Sequence, residues 1–201
     1  MTKEIESENL SKLENAARAN GIPIIRTESG EFLAELVKKN NPTKILEFGT
    51  AVGFSGIKML NASHNSTLVT IEIDSSRAQE ALINFENANL SKRVNVINDD
   101  ALVYSNKLVE AGEKFDFVFL DSAKGQYINL LPSITKLLTS GGTLVADNVL
   151  FRGFVYGECP RRFKTISKRL REFIGAMEKS TAFKNVNVYE IEDGILVATK
   201  I

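Results

Sequence analysis

The sequence predicts an α/β protein built on a mostly parallel, seven-stranded sheet, with helices on both faces and a C-terminal antiparallel hairpin. Three observations predict it. Between residues 44 and 146, five short apolar runs alternate with helical patterns, which is the signature of successive βαβ units. The runs are continuously apolar, as expected when both faces of a sheet are covered. Near the C-terminus, NVNVYEIEDGILVATK alternates around Glu192-Asp193-Gly194, and Asp-Gly between two alternating runs signals a hairpin.

Residues 4–19 place Ile5, Leu10, Leu13, Ala16 and Ala17 at helical spacing, predicting a first helix. Ser29-Gly30 precedes a second helical pattern, Phe32, Leu33, Leu36 and Val37, which stops at Asn40-Asn41-Pro42. These N-terminal helices occupy residues 1–40 and lead into a Rossmann-like core at 41–201. Strands are predicted at 44–48, 67–73, 93–97, 115–120 and 143–146. Intervening helices are predicted at 54–62, at 75–90 with Ala78, Ala81, Leu82 and Phe85 inward, at 101–111 and at 125–138. A last helix over 160–178 carries Phe163, Ile166, Leu170, Phe173 and Met177 at three- and four-residue steps. A length of 201 residues fits one domain with a full core.

Lys+Arg and Asp+Glu both number 25, so no global basic field advertises nucleic-acid binding, and any such contact needs a local patch. Cys159 is the only cysteine, which excludes an internal disulfide and suits a reducing cytoplasm. No apolar stretch approaches a membrane span. The acidic start MTKEIESENLSKLE is unlike a signal peptide, so a cytoplasmic location is expected.

ILEFGTAVGFSG, residues 45–56, follows the first strand with Gly49, Gly53 and Gly56. Glycines there let the chain turn tightly and approach a ligand. The spacing GxxxGxxG fails the dinucleotide pattern GxGxxG, and no Gly-Lys-Ser/Thr follows for a phosphate loop. Glu47 stands two residues before Gly49. An acid there repels a pyrophosphate but pairs with an ammonium. S-adenosylmethionine carries an ammonium and a sulfonium and no phosphate, so the charge suits it. Glu72 ends the second strand about 20 residues further on, where a carboxylate can accept both hydrogen bonds of a ribose diol. Asp100-Ala101 follows the third strand, placed either beside an adenine or as a simple helix cap.

Two strand ends carry oxygen donors: FDFVFLDSAK places Asp121, and GGTLVADNV places Asp147 and Asn148. In an open α/β sheet these ends lie on the cofactor side. Three oxygen donors suit Mg²⁺ or a similar hard cation, and the lone His64 and lone Cys159 build no zinc cluster. Taken singly, Asp121 also reads as a helix cap and Asp147-Asn148 as a turn. Lys124 follows three residues after Asp121, where a neutral lysine can take a proton. A bound divalent cation lowers the pKa of a hydroxyl that it touches.

Together, LEFGTAVGFS, TIEID, FVFLDSAKGQY and ADNVLFRG resemble the cation-dependent class I O-methyltransferases, the family of the catechol and caffeoyl-CoA enzymes. The resemblance covers about residues 22–200. It implies a Rossmann-like methyltransferase domain acting on S-adenosylmethionine with Mg²⁺, and a homodimer, for which the N-terminal helix and the 151–160 loop are candidate interface pieces. By the family pattern Glu47 holds the methionine ammonium, Gly49 and Ser55 line the methionine, Glu72 holds the ribose, and Asp100 and Ala101 flank the adenine. Ile25 matches a backbone contact to the cofactor. Asp121 serves both cofactor and metal, Asp147 and Asn148 complete the metal set, and Lys124 is the catalytic base. Ser122-Ala123 departs from the bulkier residues of the catechol enzymes, which bears on the substrate more than on the reaction.

FRGFVYGECPRRFK follows the metal ligands and borders the expected substrate entrance. The next helix gathers Arg161, Arg162, Lys164, Lys168, Arg169 and Arg171, either a solvated face or a phosphate-binding one. ADNVLFRG and RRFKTISKRLREF are similar to the bacterial tRNA 5-hydroxyuridine methyltransferases. That resemblance implies tRNA as partner, with the wobble 5-hydroxyuridine converted to 5-methoxyuridine and Arg161, Arg162, Lys164 and Lys168 as contacts. A small catechol-like or hydroxycinnamoyl acceptor is the alternative. An RNA-binding module with a vestigial cofactor fold is the non-enzymatic one.

Overall fold

The computed structural model describes the backbone of residues 3–201 and the side chains of residues 10–201. The Ile5 side chain, expected on the inner face of the first helix, lies outside the described residues. Helices α1 (Lys3–Ala19) and α2 (Thr27–Asn40) precede β1 (Lys44–Phe48), α3 (Phe54–Ala62), β2 (Thr67–Glu72), α4 (Ser75–Asn87) and β3 (Val94–Asn98). Then come α5 (Ala101–Glu110), β4 (Phe115–Leu120), α6 (Tyr127–Leu137), β5 (Leu138–Ala146), α7 (Lys164–Glu178), β6 (Phe183–Tyr189) and β7 (Ile195–Lys200).

The seven strands order as β3-β2-β1-β4-β5-β7-β6. β1 to β5 pair in parallel, while β7 runs antiparallel between β5 and β6. The expected hairpin therefore forms, but its second strand extends the sheet and its first becomes the edge. Its connection spans residues 190–194, with Glu192 and Gly194 at φ 50° and 83°. From β1 the chain winds out to β3, returns to β4 beside β1, and winds the other way. Loops diverge at such a reversal and leave a crevice at the carboxyl ends of the strands.

Side-chain alternation divides the core in two. Leu46, Phe48, Val118, Leu120, Leu144 and Ala146 pack under α5, α6 and α7. Ile45, Phe117, Phe119 and Val145 pack under α2, α3 and α4. Glu47 shares the parity of Ile45, so it is directed at α3.

The structure differs from sequence expectation at several points. α2 starts at Thr27, so Ser29 and Gly30 are buried inside its first turn rather than preceding it. Arg26 supplies no side-chain cap; the Ser29 N–H donates instead to Glu192 Oε2, 2.9 Å away and 163 residues distant in sequence. Leu82 is 45% exposed, because α4 turns only Ala78, Ala81 and Phe85 inward, and Ala16 is likewise exposed. β3 is only partly buried because it forms a sheet edge. β5 begins at Leu138, where it already pairs with Phe115 across an irregularity. The helices expected from 125 and 160 open with 3-10 turns, Lys124–Gln126 and Arg161–Phe163.

Candidate active site

At the reversal between β1 and β4, two backbone bonds prolong the parallel ladder past the strand ends. The Asp121 N–H donates to Phe48 O at 2.9 Å, and the Asp147 N–H to Leu120 O at 3.0 Å. Both acids are thereby placed at one rim. Gly49 sits against Asp121 at φ 102°, and a Cβ there would lie 2.2 Å from the Asp121 carbonyl oxygen. Only glycine permits that approach. Above the rim is a cavity of about 400 Å³ whose lining includes Ile25, Gly49, Ser55, Glu72, Asp121 and Asn148.

Glu72 is buried and faces this cavity. One oxygen accepts the Ala51 N–H at 2.8 Å and the other the Asp74 N–H at 3.0 Å. Each keeps a further lone pair, which suits a diol. Ile25, Ala101 and Asp100 also line the cavity. Asp100 is in addition the cap of α5: its Oδ1 accepts the Leu102 and Val103 N–H groups at 2.8 and 3.0 Å. The capping reading of this residue thus holds alongside its place on the wall.

Glu47 is placed differently from expectation. It is fully buried and absent from the cavity lining. Ser55 Oγ donates to Oε1 at 2.5 Å and Thr70 Oγ1 to Oε2 at 2.6 Å, while Thr50 Oγ1 lies 2.6 Å from Thr70 Oγ1. Burial pushes the carboxyl up from 4.5 to about 7; the two hydroxyls hold it down, and nearby Asp121 and Glu72 raise it further. Glu47 therefore reaches the cavity only through Ser55 and Thr50, which do line it. The sequence reading missed this network, although Thr70, polar amid apolar LVTIE, was its visible trace.

Of the expected cation ligands, Asp121 and Asn148 line the cavity, while Asp147, at the end of the neighbouring strand, is absent from its lining. Asp147 is 1% exposed; its Oδ1 accepts the Asn148 N–H at 2.8 Å, and its Oδ2 is buried without a partner. Burial, then the Asp121 charge, push it up to about 7, and Asp121 itself is raised by burial while Lys124 pulls it back. Asn148 takes a left-handed φ of 57°. Among the described residues no three His, Cys, Asp or Glu side chains share a metal-holding arrangement. The set here is two carboxylates and a carboxamide. An orphaned carboxylate oxygen beside a second acid is a site short of positive charge, and its all-oxygen donors fit a hard divalent cation. Lys124 Nζ is 3.6 Å from Asp121 Oδ1, on the cavity wall. Tyr127, which sequence reasoning missed, braces the rim from below: its buried hydroxyl donates to Asp147 O at 3.0 Å, and its ring meets Phe173 edge-on.

The basic segment divides into two groups. Arg169 donates to Gly125 O at 3.1 Å and Arg171 to Val155 O at 2.7 Å, so these two tie α7 to neighbouring loops. Lys168 lies 3.8 Å from Glu172. Arg161 and Lys164 are exposed, and Arg162 lies over the Phe163 ring. Among the described residues these three make no ion pair.

Comparison with known proteins agrees with this geometry. The family model described as O-methyltransferase matches residues 2–201. The catechol O-methyltransferase of Niastella koreensis is 33% identical over 157 residues, 76% of this chain and 71% of that protein. The catechol O-methyltransferase of Mycobacterium tuberculosis is 29% identical over 152 residues, 75% and 68% of the two chains. The O-methyltransferase of Bacillus cereus, solved in complex with SAH, superposes with a TM-score of 0.86 at 26% identity over 96% of this chain and 91% of that one. TomG of Streptomyces achromogenes, solved with SAM, gives 0.84 at 27% identity over 96% and 89%. With its 3-2-1-4-5-7-6 sheet, its glycine-lined crevice and a family match across nearly its whole length, the chain belongs to the S-adenosylmethionine-dependent O-methyltransferases of the catechol and caffeoyl-CoA type.

Proposed function

We propose that the chain transfers the S-adenosylmethionine methyl group to one hydroxyl of a small catechol-like ring, assisted by a divalent cation such as Mg²⁺. The observation that carries this reading is the buried, partnerless Asp147 Oδ2 beside Asp121 and Asn148, two residues that line a cavity which also presents Glu72 and Lys124. Glu72 takes the ribose diol with its free lone pairs. Ile25, Gly49 and Ser55 line the methionine end, and Asp100 and Ala101 the adenine end. Asp121, Asp147 and Asn148 would hold the cation, which, when bound, favours the ionised form of an acceptor hydroxyl. Lys124 Nζ, on the same wall, would take that hydroxyl proton in its neutral amine form, after giving up its own proton. The new O–CH₃ bond forms as the C–S bond breaks, and the sulfur keeps the electron pair. The protein supplies orientation and a partly dry, charged wall. Ser122 and Ala123 leave the acceptor end of the wall small.

A second reading, 5-hydroxyuridine in tRNA, is favoured by the exposed Arg161, Arg162 and Lys164 after the cation loop. That nucleobase also presents two adjacent oxygens on a flat ring. One experiment separates the two: hypomodified tRNA and catechol offered side by side with labelled cofactor. Methyl transfer to catechol alone rejects the tRNA reading, and transfer to tRNA alone rejects the small-ring one. The family resemblance further suggests a homodimer, to be tested by mass measurement in solution. Among the described residues no helix is long and apolar enough to cross a membrane.

A further inference from the structure

The hairpin loop 190–194 is bonded to the chain just beyond two parts of the cavity wall, residues 23–25 and Asn148. On one side, the Val149 and Leu150 N–H groups donate to Gly194 O and Asp193 O, each at 2.9 Å. These bonds fix the segment directly after Asp147 and Asn148. The contact is close: a Cβ on Gly194 would lie 2.3 Å from Leu150 Cγ. On the other side, Glu192 Oε2 accepts the Ser29 N–H at 2.9 Å, and Arg26 Nη2 lies 3.3 Å from Asp193 Oδ2. These bonds hold the start of α2, directly after Pro23, Ile24 and Ile25, which line the cavity. Glu192 makes its contact from a left-handed backbone, φ 50°, a conformation that a non-glycine residue holds only where its surroundings enforce it. Cavity wall, α2 start, hairpin loop and cation loop thus form one continuous chain of bonds.

From this we infer that Glu192 and Asp193 are positioning residues that couple the cofactor half of the site to its cation half. A ligand that orders residues 23–25 then also orders the loop carrying Asp147 and Asn148, and each ligand tightens the other by the same factor. The inference rests on the cofactor and cation sites proposed above, and it concerns their coupling rather than their existence.

The test measures Mn²⁺ affinity by the paramagnetic resonance of the free ion, with and without saturating SAH. Wild type is compared with Glu192→Gln and with the double variant Arg26→Ala/Glu192→Ala. Arg26 and Glu192 are both exposed, so the fold should survive, and melting curves check that it does. In wild type, SAH should tighten Mn²⁺ by about fivefold or more. Both variants lose the Glu192 charge, which is felt at Asp147, so both should bind Mn²⁺ alone somewhat more weakly than wild type; the double variant should in addition show the enhancement by SAH reduced to under about twofold. Glu192→Gln, which keeps an acceptor for the Ser29 N–H, should retain most of it. Undiminished enhancement in the double variant, or none in wild type, overturns the coupling. Failure of wild type to bind SAH or Mn²⁺ at all overturns the proposed function instead.

Discussion

Replacing Glu47 by glutamine should remove a pH dependence that wild type carries. Glu47 is fully buried, with Ser55 and Thr70 hydroxyls on its two oxygens. Burial pushes its carboxyl up to about 7 in the folded protein from its ordinary 4.5. Between those values the folded chain binds more protons than the unfolded one. Unfolding free energy therefore falls as pH rises from about 4.5 to 7, and this group contributes no slope outside that window. The gap corresponds to about 3 kcal/mol. Glutamine keeps the shape and cannot ionise; its Oε1 accepts from one hydroxyl, and its amide donates to the other once that hydroxyl rotates. Urea unfolding of ligand-free, metal-free protein at pH 5, 6, 7 and 8 would show the variant gaining about 2 to 3 kcal/mol on wild type across the series, since part of the gap lies below pH 5. Using the difference cancels other titrating groups common to both. If the difference stays constant, within the about 10–15% uncertainty of extrapolation, Glu47 is not a suppressed acid and the argument fails.

Other changes probe the rim. Asp147→Asn should raise the melting temperature of metal-free protein, because the amide carries no charge to be desolvated or to repel Asp121, and should abolish the stabilisation given by added Mg²⁺; an unchanged Mg²⁺ shift would dismiss Asp147 as a ligand. Lys124→Ala should lower turnover about 10²- to 10⁴-fold while leaving SAH affinity, measured calorimetrically, close to wild type; full activity at every pH would remove it as the base. Gly49→Ala forces a Cβ into the Asp121 carbonyl at a left-handed φ, and should cost about 2 kcal/mol or more with loss of SAH binding; denaturation and binding curves like those of wild type would count against that packing.

Much of the site is legible in the sequence because it sits where local rules apply. Asp121, Asp147, Asn148 and Glu72 each end a strand, and parallel strands deliver their ends to one edge. Gly49 follows the first strand, where a tight turn needs it. Glu47 shows the limit of such reasoning. It lies inside its strand, and the alternation that turns Ile45 toward α3 turns Glu47 there too. An acid two residues before the turn was expected to face the cofactor directly, but it meets Ser55 and Thr70. Leu82 and Ala16 fail for a related reason: helical spacing gives a stripe, while the neighbouring elements decide how wide a stripe is covered. Charge counting likewise found the basic segment but could not tell Arg169 and Arg171, which satisfy loop carbonyls, from Arg161 and Arg162, which remain on the surface.

By itself, the sequence determined the order and kind of the elements, the glycine turn and the oxygen donors at the strand ends. Those depend on periodicity and on backbone preferences within a few residues. The tertiary structure alone decided that β7 rather than β6 pairs with β5, that Glu47 is sealed away from the cavity lining, and that Glu192 holds the start of α2 from 163 residues away. Each of these depends on which distant groups become neighbours once water is excluded, and no local pattern carries that information.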